Sequence, residues 1–98
     1  MLKTILKIED LSIKFQFNNQ KIKAVEKSNF DILESECLAI VGESGSGKSV
    51  TALSIMKLIK SNAQLTIGGK IIYEKKNLLN QDEKILQKIR GNKISMIF

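Results

Sequence analysis

The sequence predicts an α/β fold in which an antiparallel β hairpin leads into a strand, a glycine loop and a helix. Three observations carry that expectation. Residues 4–17 alternate apolar and polar in two bursts, Ile5-Leu6-Lys7-Ile8-Glu9 and Leu11-Ser12-Ile13-Lys14-Phe15-Gln16-Phe17, the two-residue period of a half-buried strand. Cys37-Leu38-Ala39-Ile40-Val41 is an unbroken apolar run of strand length. Directly after it, Gly42-Glu43-Ser44-Gly45-Ser46-Gly47-Lys48-Ser49 fits the P-loop pattern G-x-x-x-x-G-K-[ST] at every fixed position.

Taken in order, Asn18-Asn19-Gln20-Lys21 supplies turn chemistry after the first strand, and Ile22-Lys23-Ala24-Val25 starts the returning one. Phe30-Asp31-Ile32-Leu33 continues toward a charged turn, Glu34-Ser35-Glu36, which delivers the chain into the apolar strand. An antiparallel piece should therefore precede a parallel one. Beyond the loop a helix is expected over residues 48–60, with Ala52, Ile55, Met56 and Ile59 recurring at i, i+3, i+4 and i+7 on its buried face. Residues 61–66 read as a polar connection and residues 67–73 as a glycine-interrupted strand. Asn80 and Glu83 have capping-box spacing, Ile85, Leu86 and Ile89 share a helical face, and Gly91 stands where a C-terminal cap belongs, so a helix is expected over about residues 81–90. Residues 93–98 are strand-like.

Length and composition bound the rest. At 98 residues the chain is at most one small domain, and a parallel sheet covered on both faces normally needs more chain than that. The expectation is a portion of a larger domain. The formal net charge is +6, but the lysines are scattered and no basic run reaches five, so a solvated basic surface is expected rather than a nucleic-acid partner. The single cysteine, Cys37, offers neither a disulfide nor a metal cluster within the chain and fits a reducing setting. No apolar run approaches the roughly 18 residues a membrane-spanning helix needs, and residues 1–4 lead into alternation rather than a signal-peptide core.

The loop's residue types follow from the ligand it implies. A triphosphate carries several negative charges, and backbone N–H groups converging on it at the positive end of a helix hold it without water. Side chains would obstruct that approach; Gly42, Gly45 and Gly47 remove the obstruction and tolerate positive φ. Lys48 then supplies an ammonium for the outer phosphates and Ser49 a hydroxyl for Mg2+. The plain alternative is a Gly/Ser-rich turn between a strand and a helix.

Val41-Gly42-Glu43-Ser44-Gly45-Ser46-Gly47-Lys48-Ser49-Val50-Thr51-Ala52-Leu53-Ser54-Ile55-Met56, with Ile89-Arg90-Gly91-Asn92-Lys93-Ile94-Ser95-Met96-Ile97-Phe98, resembles the ATP-binding cassette (ABC) ATPases, and among them most the oligopeptide and dipeptide importer subunits. The likeness covers nearly the whole chain, as the N-terminal portion of one ATPase domain. It implies ATP and Mg2+ as ligands, held by Gly42, Glu43, Ser44, Gly45, Ser46, Gly47, Lys48, Ser49 and Val50, with Ser49 on the metal and Phe15 stacked on adenine. Phe17 competes for that last role, and an ordinary core phenylalanine is the bland reading of Phe15. The family usually has glycine where Ser35 stands, which implies strain if the turn requires positive φ.

The resemblance also implies what these residues lack. The water-orienting glutamine, the signature loop, the Walker B aspartate with its catalytic glutamate, and the switch histidine all follow the position matching Phe98, so no catalytic residue is expected here. Implied partners are membrane permease subunits, a second ATPase subunit and, indirectly, an extracytoplasmic solute-binding protein, with the protein peripheral on the cytoplasmic face of the membrane. Two rival readings stand beside this one: another P-loop enzyme such as a GTPase or kinase, and a non-catalytic fragment that binds nucleotide weakly or not at all. The 41 residues before the loop, with their hairpin, favour the ABC reading over the first rival, whose folds commonly start with the P-loop strand.

Overall fold

The alternating N-terminal residues form two long strands, β1 (Thr4–Phe17) and β2 (Gln20–Leu33), joined by a turn at Asn18 and Asn19. The computed structural model describes residues 3–41, 47–59 and 64–97. Asn18 takes φ 48, which asparagine tolerates better than most residues. With β3 (Gln64–Tyr73) and the short β4 (Lys76–Asn77), these strands make an antiparallel sheet in the order β2-β1-β3-β4 among the described residues.

β1 is paired along both edges. Ile8 lies opposite Phe30 and Ile71, and Ile13 opposite Val25 and Ile67, which concentrates branched side chains on one face of the sheet. On that face Leu6, Ile8, Leu11, Ile13 and Ile71 are buried. They cluster with Leu78, from a 3-10 turn (Leu78–Asn80), and Ile89, from the second helix, α2 (Glu83–Ile89). The first helix, α1 (Lys48–Ile55), adds the half-buried Val50 and Ile55 to the same core.

Buried positions in β1 are even before Asp10 and odd after it, so the strand must change phase there. It does so through a bulge: the register shifts between Ile8 and Leu11 against β2 and between Glu9 and Ser12 against β3. Asp10 takes φ 46. The Asn29 side chain holds it, accepting from the Asp10 backbone N–H at 2.9 Å and donating to the Asp10 carboxylate at 3.1 Å. On the other side Gly69 (φ +90) passes so close that a β-carbon there would lie 2.3 Å from the Asp10 carbonyl oxygen and 2.5 Å from that of Glu9. The bulge keeps both halves of β1 facing one core.

The expected hairpin and the strand over residues 67–73 are present, the latter starting three residues earlier than expected. Four expectations are corrected. Residues 37–41 form no strand, and Cys37, Leu38, Ile40 and Val41 are exposed, Val41 by 88%. A strand apolar on both faces needs parallel neighbours and cover on each side; both edges of β1 are already occupied, and the described residues offer no parallel strand. The helix expected to reach residue 60 stops at Ile55, because Lys57 takes φ 53 and closes a Schellman motif. In it the Lys57 N–H donates to the Ser54 carbonyl at 3.1 Å and the Leu58 N–H to that of Leu53 at 2.9 Å. α2 is capped by Asp82, whose carboxylate accepts from the Ile85 N–H at 3.1 Å, rather than by the Asn80 and Glu83 pair, since Asn80 is taken up in the 3-10 turn. Residues 95–97 form no strand; the chain after Gly91 (φ 75) folds back on the Ile89 carbonyl and, among the described residues, makes only an isolated bridge from Ile94 to Arg90.

The Ser35 turn behaves as the resemblance implied. Ser35 takes φ 60, and the turn is closed by Glu36 N–H to the Leu33 carbonyl at 3.2 Å and by Leu33 N–H to the Glu36 carboxylate at 3.3 Å.

Two glycines of similar φ separate steric from conformational cost. Gly91 has nothing within 4 Å of a β-carbon position, whereas Gly69 abuts backbone. Gly91→Ala is expected to cost about 1 kcal/mol or less, and Gly69→Ala more than about 2 kcal/mol, in urea unfolding of each variant.

Candidate functional site

α1 begins at Lys48 with Gly47 as its N-cap, at φ 93 and ψ 0, a residue with no side chain of its own to cap the helix. Glycine is required there twice over. The conformation is left-handed, and a β-carbon would stand 2.3 Å from the Ala24 carbonyl oxygen and 3.2 Å from Cγ2 of Val25. The start of α1 is thereby seated directly on the backbone of β2.

The helix is tied inward by its hydroxyls. Thr51 donates to the Gly47 carbonyl through its N–H at 2.9 Å and its Oγ1 at 2.8 Å, and Ser54 Oγ donates to the Thr51 carbonyl at 2.6 Å. These bonds let Thr51 and Ser54 occupy the buried face with Met56, where the apolar period had marked Ala52, Ile55, Met56 and Ile59. Ala52, Ile55 and Ile59 are half-buried instead. The first turn holds no acidic residue, so the chain does not neutralise the positive end of the helix from within that turn.

Beside this start lies a cavity of about 340 Å³. Gly47, Lys48 and Thr51 line it from α1, Ala24, Val25, Glu26, Ser28 and Phe30 from β2, and Ile40 and Val41 from the segment before the loop. Its lining is mixed: Lys48, Thr51, Glu26 and Ser28 are polar or charged, and Ala24, Val25, Phe30, Ile40 and Val41 are apolar. Ser49 is exposed and Val50 half-buried against the core. Gly42, Glu43, Ser44, Gly45 and Ser46 lie outside the described residues. Phe15 is half-buried on the core side of β1, opposite Ile22 and Leu65, and is not among the residues that line this cavity. Phe17 is exposed at the hairpin tip. Sequence reasoning named Gly47, Lys48, Ser49 and Val50 but missed Thr51 and the β2 wall; a threonine four residues after the capping glycine was the one available signal.

Residues 25–98 match the sequence profile of the ABC transporter family. The chain belongs to that family. Among its curated relatives, the probable peptide ABC transporter ATP-binding protein y4tR of Sinorhizobium fredii is 43% identical over 96% of this chain and 28% of its own length. The oligopeptide transport ATP-binding protein OppD of Bacillus subtilis is 45% identical over 96% of this chain and 26% of its own. The dipeptide transport ATP-binding protein DppD of Lactococcus lactis is 44% identical over 96% of this chain and 27% of its own. The chain thus spans about a quarter of the length of these ABC relatives.

Gly47→Ala should unseat the first turn of α1. The expected result is loss of amide-exchange protection at Thr51 and a stability loss of more than about 2 kcal/mol, with Ile8 and Ile13 still protected in the folded fraction.

Proposed function

We propose that residues 1–98 are the N-terminal portion of an ABC ATPase domain that binds MgATP through Gly42 to Ser49, and that the whole protein uses ATP hydrolysis to drive import of peptides or similar small solutes. The observation that carries this reading is the helix start: the sixth residue of the eight-residue motif, Gly47, is the helix cap and has neither a side chain nor room for one. That is what close approach of phosphate oxygens to main-chain amides requires. The names of the three relatives given above, a peptide, an oligopeptide and a dipeptide transport ATP-binding protein, support the transported class.

Each residue then has a chemical role in that reading. The amides of the loop and of the first turn of α1 hold the phosphates, the Lys48 ammonium neutralises their outer charge, and the Ser49 hydroxyl, exposed at the second helical position, ligands Mg2+. A metal held there would supply charge neutralisation to the phosphates. The water-orienting groups belong to parts of the family's fold that follow these residues, so binding, not turnover, is assigned to residues 1–98. Phe15 is proposed for the adenine face, with its half-buried ring serving the core as well. In the whole protein, permease subunits, a second ATPase subunit and a solute-binding protein complete the assembly, at the cytoplasmic face of the membrane. No helix among the described residues is long and apolar enough to cross a membrane.

One observation favours weak binding by the 98 residues alone. Residues 37–41 are exposed and unpaired, so the loop has no strand bracing its N-terminal stem. Binding then also bears the entropy of ordering residues 37–41.

Titration with a fluorescent ATP analogue and Mg2+ tests the reading. Lys48→Ala is expected to weaken binding about 10- to 100-fold, the scale of one charged hydrogen bond; equal affinity in both forms would remove the P-loop from the account. Phe15→Leu keeps apolar bulk but loses the flat face, and is expected to weaken the analogue at least about fivefold while Phe17→Leu changes it little.

A further inference from the structure

We propose that Arg90 is a positioning residue for the phosphate-facing start of α1, acting through the opposite end of that helix. The proposal rests on the reading of Gly47 to Thr51 as part of the phosphate site.

The Schellman motif that ends α1 leaves the carbonyls of Met56 and Lys57 pointing out of the helix ladder, and the last turn contains no basic residue of its own. Arg90 supplies what is missing from 34 residues away. Its Nε donates to the Met56 carbonyl at 2.9 Å and its second terminal nitrogen approaches the Lys57 carbonyl at 3.5 Å. The remaining arm of the fork pairs with the Glu83 carboxylate at the first turn of α2. A guanidinium is suited to this because it is planar, permanently charged and has donors fixed in a fork; an ammonium cannot reach two carbonyls and a carboxylate in one plane. The cation also sits at the negative end of the α1 dipole.

Arg90 is itself well anchored. It caps α2, donating its N–H to the Leu86 carbonyl at 2.9 Å. Three residues on, Lys93 Nζ donates to both carboxylate oxygens of Glu74, in the turn between β3 and β4, at 3.1 Å each. The guanidinium therefore joins the end of α1 to an element fixed on the sheet. α1 has eight residues, about 12 Å of rigid helix, so a tilt at Met56 is delivered to the amides at Lys48 to Thr51. Any displacement of α2 is delivered the same way.

The test uses the 98-residue chain in three forms: unsubstituted, Arg90→Lys and Lys48→Ala. Binding of a fluorescent ATP analogue with Mg2+ is measured alongside amide exchange at Thr51, at Lys57 and Leu58, and at Ile8 and Ile13 as a control on the sheet. Arg90→Lys is expected to weaken binding roughly 3- to 30-fold and to speed exchange at Lys57, Leu58 and Thr51, with Ile8 and Ile13 unchanged. Faster exchange confined to Lys57 and Leu58, with unaltered affinity while Lys48→Ala loses binding, would overturn the proposal. So would loss of protection at Ile8 and Ile13, which would make Arg90 a general element of the fold. Equal binding by the unsubstituted chain and Lys48→Ala would instead sink the phosphate reading. Thr51 exchange in Arg90→Lys then decides whether Arg90 orders the start of α1: faster exchange keeps that role, unchanged exchange ends it.

Discussion

The Ala24 carbonyl oxygen fills the space a β-carbon at residue 47 would need, 2.3 Å away, so the chain can enter α1 at this point only as a glycine with left-handed backbone. From this contact the rest of the helical side follows. Gly47 places its carbonyl under Thr51, which takes it with two donors, and Thr51 in turn receives Ser54, so two successive turns of polar bonding are packed inward against an apolar sheet. The same contact puts Gly47, Lys48 and Thr51 at the edge of a cavity lined on another side by β2. A side chain at residue 47 would push α1 off the sheet and close the approach to its amides together.

β2 can present Ala24 there only because β1 holds register on both edges despite its change of phase. The bulge at Asp10, clasped by Asn29 and admitted by Gly69, lets Leu6 and Ile8 face the same core as Leu11 and Ile13. Without it half of the strand would turn its apolar residues to water. The position of the candidate site is thus set by sheet geometry some distance away in sequence, and its orientation by the two ends of one short helix.

The hairpin is legible because strict alternation and an Asn-Asn turn are local signals; the bulge is not among the sequence's expectations, although it falls in the gap between the two alternating bursts. β4 is not legible, since the turn before it runs through Glu74 (φ 50) and Lys75 (φ 66), neither of which announces a left-handed backbone. For the same reason the end of α1 was misplaced: Lys57 occupies a slot where glycine would have been read as a stop. The apolar runs at residues 37–41 and 93–98 were read as strands because composition registers burial and not the partner that provides it. In the candidate site, the motif itself names Gly47, Lys48 and Ser49, and Val50 comes only with the family resemblance. Ala24, Val25 and Thr51 come from packing across the fold, which no spacing in the sequence encodes.

The main-chain amides at the start of α1 are proposed as the anion-binding surface of this ABC family member. Titrating the isotopically labelled chain with MgATP while following backbone amide resonances by NMR tests it most directly. The account expects saturable shifts at Gly47, Lys48, Ser49, Val50 and Thr51, reproduced in part by inorganic triphosphate, with Asn18, Asn19 and Gln20 at the hairpin tip unmoved. Resonances that stay in place at residues 47–51, or that move no more than those at the hairpin tip, would contradict it.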